Sequence, residues 1–395
     1  GRIIAGLNYE PLAEGYGRVD GYERYAGKAA PSSVQFWRLS FKTGTVAIVA
    51  GATIIGATSG ATAYVLLDPQ DFFGTWGAGD ARGNLILGQL TGSFTPGETI
   101  KVGITNVAVA NGVEVANGSP DEATRKDYVA AAQDKQRSLI TPPPGIGPVR
   151  GVHVFNGTLY AWRDSSGGPE AKMFRATTSG WQQVDLGKTL PFTLGLVEVI
   201  EGSTITGASS GATAVAQRVI KRAGSWGSNA SGFIALTGIV GTFSAGETIK
   251  VGATNVATGG LVATISLPPG GRYMAINHNF YGSKNRLSAY VVNGVGPAFE
   301  FDGTTVVPIL SGMTVDTPVR VFEIANHLGL CFAGGSVQIS SLGEPAIFNA
   351  ITGALEIGLG TEITDVIQSS ETAVVLFGAQ KIGVLTGREA AASQL

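Results

Sequence analysis

The chain has 395 residues, 44% of them hydrophobic and only 14% charged, with a net charge of −2. That balance offers no global attraction to nucleic acid or to an anionic membrane, and it suits a folded chain long enough for two to four domains with real cores. The single cysteine, Cys331, excludes an internal disulfide framework, so burial and backbone hydrogen bonds must hold the fold.

Fifty-eight glycines set among Thr, Val and Ala favour many short strands joined by tight turns. The chain begins at Gly1 and no charged-then-apolar leader follows, as expected of a trimmed or partial chain. Residues 1–44 read as an N-terminal segment with the first strands of a larger β platform. From Thr43 to Leu67 there are no charges, long enough to cross a bilayer. The stretch is full of Gly, Thr and Ser, however, and its counterpart near 197–220 carries Glu198, Glu201 and Arg218, so no membrane insertion is expected.

"GATSGATA" at 56–63 returns as "GASSGATA" at 207–214, and "GETIKVG" at 97–103 returns at 246–252. Gly60 matches Gly211, Trp76 matches Trp226 and Glu98 matches Glu247. This is an internal duplication, placed at 45–117 and 196–265, and each copy reads as a small β-sandwich or barrel. The second copy satisfies the Gly-x-Ser-x-Gly spacing of a nucleophile elbow around Ser209. An elbow needs a strand–turn–helix context, whereas "ATAVAQRVI" continues as a strand, and the first copy has Thr58 there. Ser209 is expected to serve a tight turn.

Residues 118–144 hold one helix and a Pro-rich linker. Ser119 reads as the N-cap, Pro120 as the first helical residue, and Asp121 and Glu122 complement the dipole, with "TPPPG" ending the element. Arg125, Lys126, Lys135 and Arg137 suit a solvated face interleaved with acids better than a nucleic-acid contact.

"RGVHVFNGTLYAWRD" at 150–164 and "KMFRATTSGWQQVDLG" at 172–187 give four antiparallel strands around Asn156-Gly157 and Ser179-Gly180, a propeller-blade-like unit within 145–195. More blades fill 266–395, with a turn at Asp302-Gly303 and a last four-stranded candidate at 362–387. Roughly 250 residues of blade material at about 40–50 each support four or five blades. The expected fold is therefore mainly β: a β-propeller-like platform with two inserted copies of a small β-sandwich or barrel, each between blade strands, and one helix.

Three stretches carry a resemblance: "NYEPLAEGYGRVDGYERYAGKAAPS" at 8–32, "PPPGIGPVRGVHVFNGTLYAWRD" at 142–164 and "GGSVQISSLGEPAIFNAITGALEIGLGTEITDVI" at 334–367. They resemble the tail nozzle, also called the tail hub or tail tubular protein B, of short-tailed bacteriophages. The resemblance implies a virion protein that forms a hexameric tube on propeller domains, through which the genome leaves. It also implies neighbours: a tail adaptor, fibre, spike or needle proteins, and passing double-stranded DNA held without sequence specificity. No enzymatic residue and no cofactor are carried over. The alternative is a carbohydrate-binding or depolymerising tail protein that contacts the host surface.

Other chemistry is thin. His153, His278 and His327 are too scattered for the grouped ligands of a zinc site, and Cys331 in "LGLCFAG" reads as a small buried hydrophobe. "NGT" at 156–158 and "NAS" at 229–231 fit the glycosylation pattern, which a protein made in bacteria leaves bare. The carboxylate pairs Asp20/Glu23 and Glu362/Asp365 could be glycosidase-like, but sequence does not fix their separation. A DNA conduit needs weak contact with its cargo, so neutral-to-acidic loops should face the lumen, with Glu300, Asp302, Glu362 and Asp365 as the candidate lumen carboxylates.

Overall fold

A computed structural model describes residues 9–12, 15–18, 23–282 and 286–387. The chain divides into two compact units, one of Gly1–Pro142 with Thr177–Gly180, the other of Pro143–Ala176 with Trp181–Leu395. Strands dominate both, and the only α-helix among the described residues is Glu122–Leu139.

In the first unit, strands run Ala81–Thr91, Thr62–Phe73, Thr53–Gly56, Thr99–Val102, Thr105–Ala110 and Trp37–Gly44 in pairing order, and the last of these pairs again with the first. The sheet therefore closes into a barrel, which leaves no long unpaired edge. Alternating residues such as Leu39, Ile54, Val65, Leu85 and Ile100 fill it. The second copy repeats the order with Ala230–Val240, Thr213–Ala223, Thr204–Gly207, Thr248–Val251, Thr254–Gly259 and Lys188–Gly195.

Both barrels start earlier than the boundaries drawn at 45 and 196. Trp37–Gly44 and Lys188–Gly195 share only Leu39/Leu190, Phe41/Phe192 and Gly44/Gly195, a pattern too sparse to extend the repeat by eye. The glycine is structural: a Cβ at Gly44 or Gly195 would strike the Trp76 or Trp226 ring, each stacked at 5.3 Å on Phe41 or Phe192.

The helix packs on the first barrel through Tyr128 and Ala132, which join Phe36 and Ile86 in a small core with Leu66 and Leu67 against it. Its N-cap is Asp121, not Ser119: the Asp121 carboxylate accepts the Thr124 N–H at 2.8 Å, so Pro120 lies outside the helix. A carboxylate at the positive helix end outcompetes a hydroxyl two residues upstream. Asp121→Ala should speed amide hydrogen exchange in the first helical turn, and Ser119→Ala should leave it unchanged. Of the basic side chains, Arg125 pairs with Glu122, Arg137 pairs with Asp134, and the Lys135 ammonium sits 3.6 Å over the Tyr64 ring.

The second unit is propeller-like. Three four-stranded antiparallel sheets follow in sequence: the first from Ile146–Phe155 to Gly180–Gln183, the second from Met274–His278 to Val306–Ile309, and the third from Arg320–Ile324 to Leu355–Gly358. A three-stranded sheet, Ile363–Ser370, Ala373–Gly378 and Ile382–Thr386, stands where sequence suggests four strands. The opening strand of each sheet neighbours the opening strand of the next, the arrangement of blades around an axis. Turn chemistry matches the sequence: Asn156 and Gly157 both take left-handed conformations, φ 46° and 73°.

The second barrel does not interrupt a blade. It lies between the completed first sheet and the second, where an insertion breaks no strand pairing. No described helix is long and apolar enough to cross a membrane, and Thr43–Leu67 contributes to barrel strands instead.

Candidate functional site

The Gly-x-Ser-x-Gly motif is a turn clamped by a carboxylate. Glu247 accepts the Ser209 N–H at 3.1 Å and its Oγ–H at 3.0 Å, the Ser210 N–H at 3.0 Å and its Oγ–H at 2.8 Å, and the Ser244 N–H at 2.6 Å. Burial pushes the Glu247 carboxyl up, but these donors outweigh it and hold the group down at about 2. In the first copy Glu98 accepts from the Thr58, Ser59 and Thr95 backbone N–H groups and from Ser59 Oγ. Gly56 and Gly207 leave room for this, since a Cβ there would collide with the carboxylate and the Ser59 or Ser210 hydroxyl. Ser209 has no histidine beside it: its hydroxyl donates to an ionised glutamate, which fixes a turn rather than arming a nucleophile.

A cleft of about 910 Å³ in the second unit is lined by Glu198, Glu201, Lys221, Trp226, Arg286 and Glu344 with aliphatic neighbours. At its floor Arg218 is 2% exposed and Glu300 fully buried. Two Arg218 nitrogens reach the two Glu300 oxygens, and Nη2 also donates to Tyr281 Oη at 2.7 Å. Tyr281 Oη donates to Glu300 at 2.7 Å, and Ser288 Oγ donates to it at 3.0 Å. Arg218 Nε and Arg286 Nη2 share Glu201 at 3.1 and 2.6 Å. Burial lowers the tendency of Arg218 to hold its proton, yet Glu300, Tyr281 and Glu201 reverse this and fix the cation. Burial and the Glu300 charge push the Tyr281 phenol up, so it stays protonated.

A β-bulge places Arg218. The register of Thr213–Ala223 against Ala230–Val240 shifts between Ala216 and Arg218. Ala214 and Ala216 point into the barrel, while beyond the shift Ile220 joins Tyr290 and Val307 of the second sheet and Phe280 in the turn after its first strand. The first copy has Leu67 at the matching position, packed toward the helix. Duplicated barrels thus use one outer face for two different seats, one apolar and one ionic.

The four candidate lumen carboxylates fall in different places. Glu300 must be withdrawn: it is fully buried and saturated by donors, so it faces no open surface of the chain. Alternation places Glu300 opposite Tyr290 on an interior face of its strand. Asp302 is half-buried and accepts the Thr304 and Thr305 N–H groups, closing its turn. Glu362 is exposed, and Asp365 is exposed but ion-paired with Arg320 at 3.0 Å. Asp20 lies outside the described residues, while Glu23 accepts from Ser32.

His153 meets Asn277, His278 meets Asn326, and His327 meets the Ser340 carbonyl. Among the described residues no group of three or more His, Cys, Asp or Glu could hold a metal ion. Cys331 is buried, and burial pushes its thiol up to about 12, so it is an inert core residue. The Arg218–Glu300 cluster escaped sequence reading, and its one signal is a charge inside the otherwise uncharged run "ATAVAQRVI".

No protein-family model matches the chain, and no curated protein matches it. Among solved structures it is similar to "YCF48 bound to D1 peptide" at 10% identity, over 92% of this chain and 96% of that one, with a TM-score of 0.23. A TM-score that low supports no argument about this chain.

Proposed function

We propose that the chain is a non-enzymatic structural component of a bacteriophage tail, part of the nozzle through which DNA is ejected. In this reading identical copies, six by the resemblance, form a ring in the virion tail and meet an adaptor above and fibre, spike or needle proteins below. The reading rests on the three nozzle-like stretches, and one observation of charge agrees with it. Along the row of opening strands, Arg150 is paired with Asp164 and Arg320 with Asp365. The other exposed positions on those strands, such as Val149, Asn277, Thr364 and Gln368, are uncharged. Among the described residues these strands carry no unpaired Lys or Arg to grip phosphates, which suits a conduit. Asp302, Glu362 and Asp365 remain the candidate lumen carboxylates.

The isolated chain is expected to bind duplex DNA no more tightly than about 10⁻⁴ M near physiological salt, the weak end of non-specific binding. Fluorescence anisotropy over a salt series measures this, and tight, steeply salt-dependent binding would favour a DNA-gripping role. Imaging of intact particles locates the chain, and its absence from the tail overturns the reading.

A further inference from the structure

The cleft over the Arg218–Glu300 pair lies between two preformed walls. One is the barrel loop that leads into Thr204–Gly207, where the Gly202 N–H donates to the Ala216 carbonyl at 2.8 Å and the Ser203 N–H to the Ile200 carbonyl at 3.1 Å. The other is the loop between the third and fourth strands of the third sheet. There the Ser341 N–H donates to the Ile347 carbonyl at 2.8 Å and the Ile347 N–H to the Glu344 carbonyl at 3.1 Å. Backbone bonds thus hold both walls before any ligand arrives, and about 910 Å³ is a space of ligand-pocket size.

Each wall presents one large aliphatic side chain and one carboxylate to solvent. On the barrel loop Ile200 is 73% exposed and Glu198 is exposed; on the sheet loop Leu342 is 52% exposed and Glu344 is exposed. The ion pairs of the floor consume Arg218, Arg286, Glu201 and Glu300. Among the described residues Glu198 and Glu344 have no partner, and Lys221 has only the Gly224 carbonyl at 3.5 Å. The free charge of the cleft is therefore two carboxylates against one ammonium.

The duplication supplies an internal control. "TVAIVAGAT" at 45–53 matches "LVEVIEGST" at 196–204, so the first barrel has Ala47 and Val49 at the positions of Glu198 and Ile200. Ala47 is exposed, so the scaffold needs no carboxylate there. Glu198 belongs to the copy that borders the cleft, and it bonds nothing within that copy, which points away from a scaffold role.

We propose that the cleft binds an extended peptide segment of another protein, in which Lys or Arg flanks a Leu, Ile or Val side chain. The aliphatic side chain lies between Ile200 and Leu342 and removes exposed apolar surface from water. Its basic neighbours face Glu198 and Glu344. A sugar sets hydroxyls against those two aliphatic side chains, and an acidic peptide brings like charge to both walls. The site does not rest on the tail reading, and its failure leaves that reading standing.

A displayed library of random seven-residue peptides, panned on the immobilised full chain, tests it. Enriched sequences should carry a basic residue next to an aliphatic one, and the most enriched, made synthetically, is titrated by calorimetry. Glu198→Gln/Glu344→Gln should weaken it about three- to tenfold and flatten its salt dependence. Ile200→Ser/Leu342→Ser should weaken it about tenfold. All four positions are exposed, so circular dichroism should stay unchanged. Val49→Ser, the matching change in the first barrel, should leave the affinity as it is. A library that enriches nothing or enriches acidic sequences overturns the site. So does a peptide bound equally by wild type and both double variants, or lost in Val49→Ser as well. Maltopentaose or chitopentaose bound by wild type and lost in Ile200→Ser/Leu342→Ser assigns the cleft to sugars and overturns the peptide.

Discussion

Arg218→Met is expected to destabilise the second unit by about 3–5 kcal/mol, because it strands a buried charge. Glu300 is fully buried, and without Arg218 its carboxylate keeps only the Tyr281 and Ser288 hydroxyls as donors. Arg218→Met/Glu300→Leu should recover most of the loss, to within about 1–2 kcal/mol of wild type, since a buried pair exchanged for apolar groups of similar volume is often neutral. Urea unfolding followed by tryptophan fluorescence and near-UV circular dichroism reads both variants. A single substitution costing under about 1 kcal/mol would show that solvent reaches the pair, and a double as costly as the single would show that the loss does not come from a stranded Glu300 charge. The comparison within the molecule gives the same logic. Leu67 holds the matching position in the first barrel and makes its seat with aliphatic contacts, so the fold accepts either chemistry at that face. What the ionic version adds is direction: Arg218 bonds Glu201 on its own barrel, and Glu300 and Tyr281 beside the second sheet, which sets a single register of barrel on sheet.

That cluster also marks the limit of what the sequence makes legible. Hairpins can be read from local chemistry, because Asn156-Gly157 and Asp302-Gly303 specify turns without help from distant residues. The duplication can be read because "GETIKVG" and the paired tryptophans repeat. Arg218 and Glu300 lie 82 positions apart, and a bulge between Ala216 and Arg218 reverses the side on which later residues fall. Alternation alone therefore assigns Arg218 to the wrong face. Barrel closure is hidden for a related reason. It depends on Trp37–Gly44 and Lys188–Gly195 meeting Ala81–Thr91 and Ala230–Val240, pairings as distant in sequence as Trp37 with Leu87 and Lys188 with Leu236. Glu300 misleads in the opposite direction, since a carboxylate two residues from a turn reads as exposed until the strand's partners are known.

Glu247→Gln is expected to cost about 3 kcal/mol, and the effect comes from what the clamp leaves behind. Five donors converge on the Glu247 carboxylate, three of them backbone N–H groups that no side-chain substitution can remove. An amide supplies one acceptor oxygen and turns an NH₂ toward the remaining donors, so buried N–H groups lose their partners. Ser209→Ala should cost less than about 1 kcal/mol, because the Ser209 N–H still reaches the carboxylate. Ser210→Ala should cost more than Ser209→Ala, since the Ser210 hydroxyl also accepts the Ala212 N–H at 3.1 Å. Acid provides an independent readout. The folded carboxyl is held at about 2, below its ordinary value near 4.5, so its contribution is complete above the unfolded value. It should fade as pH falls from about 4.5 toward about 2, and the Gln variant should lack that part of the acid dependence. Glu98 is shifted the same way, so the first barrel should respond in the same direction. Unfolding midpoints for wild type and the variants at pH 7 and pH 3 decide the matter. A Ser209→Ala cost equal to that of Glu247→Gln would mean that the hydroxyl, and not the backbone turn, is what the carboxylate holds.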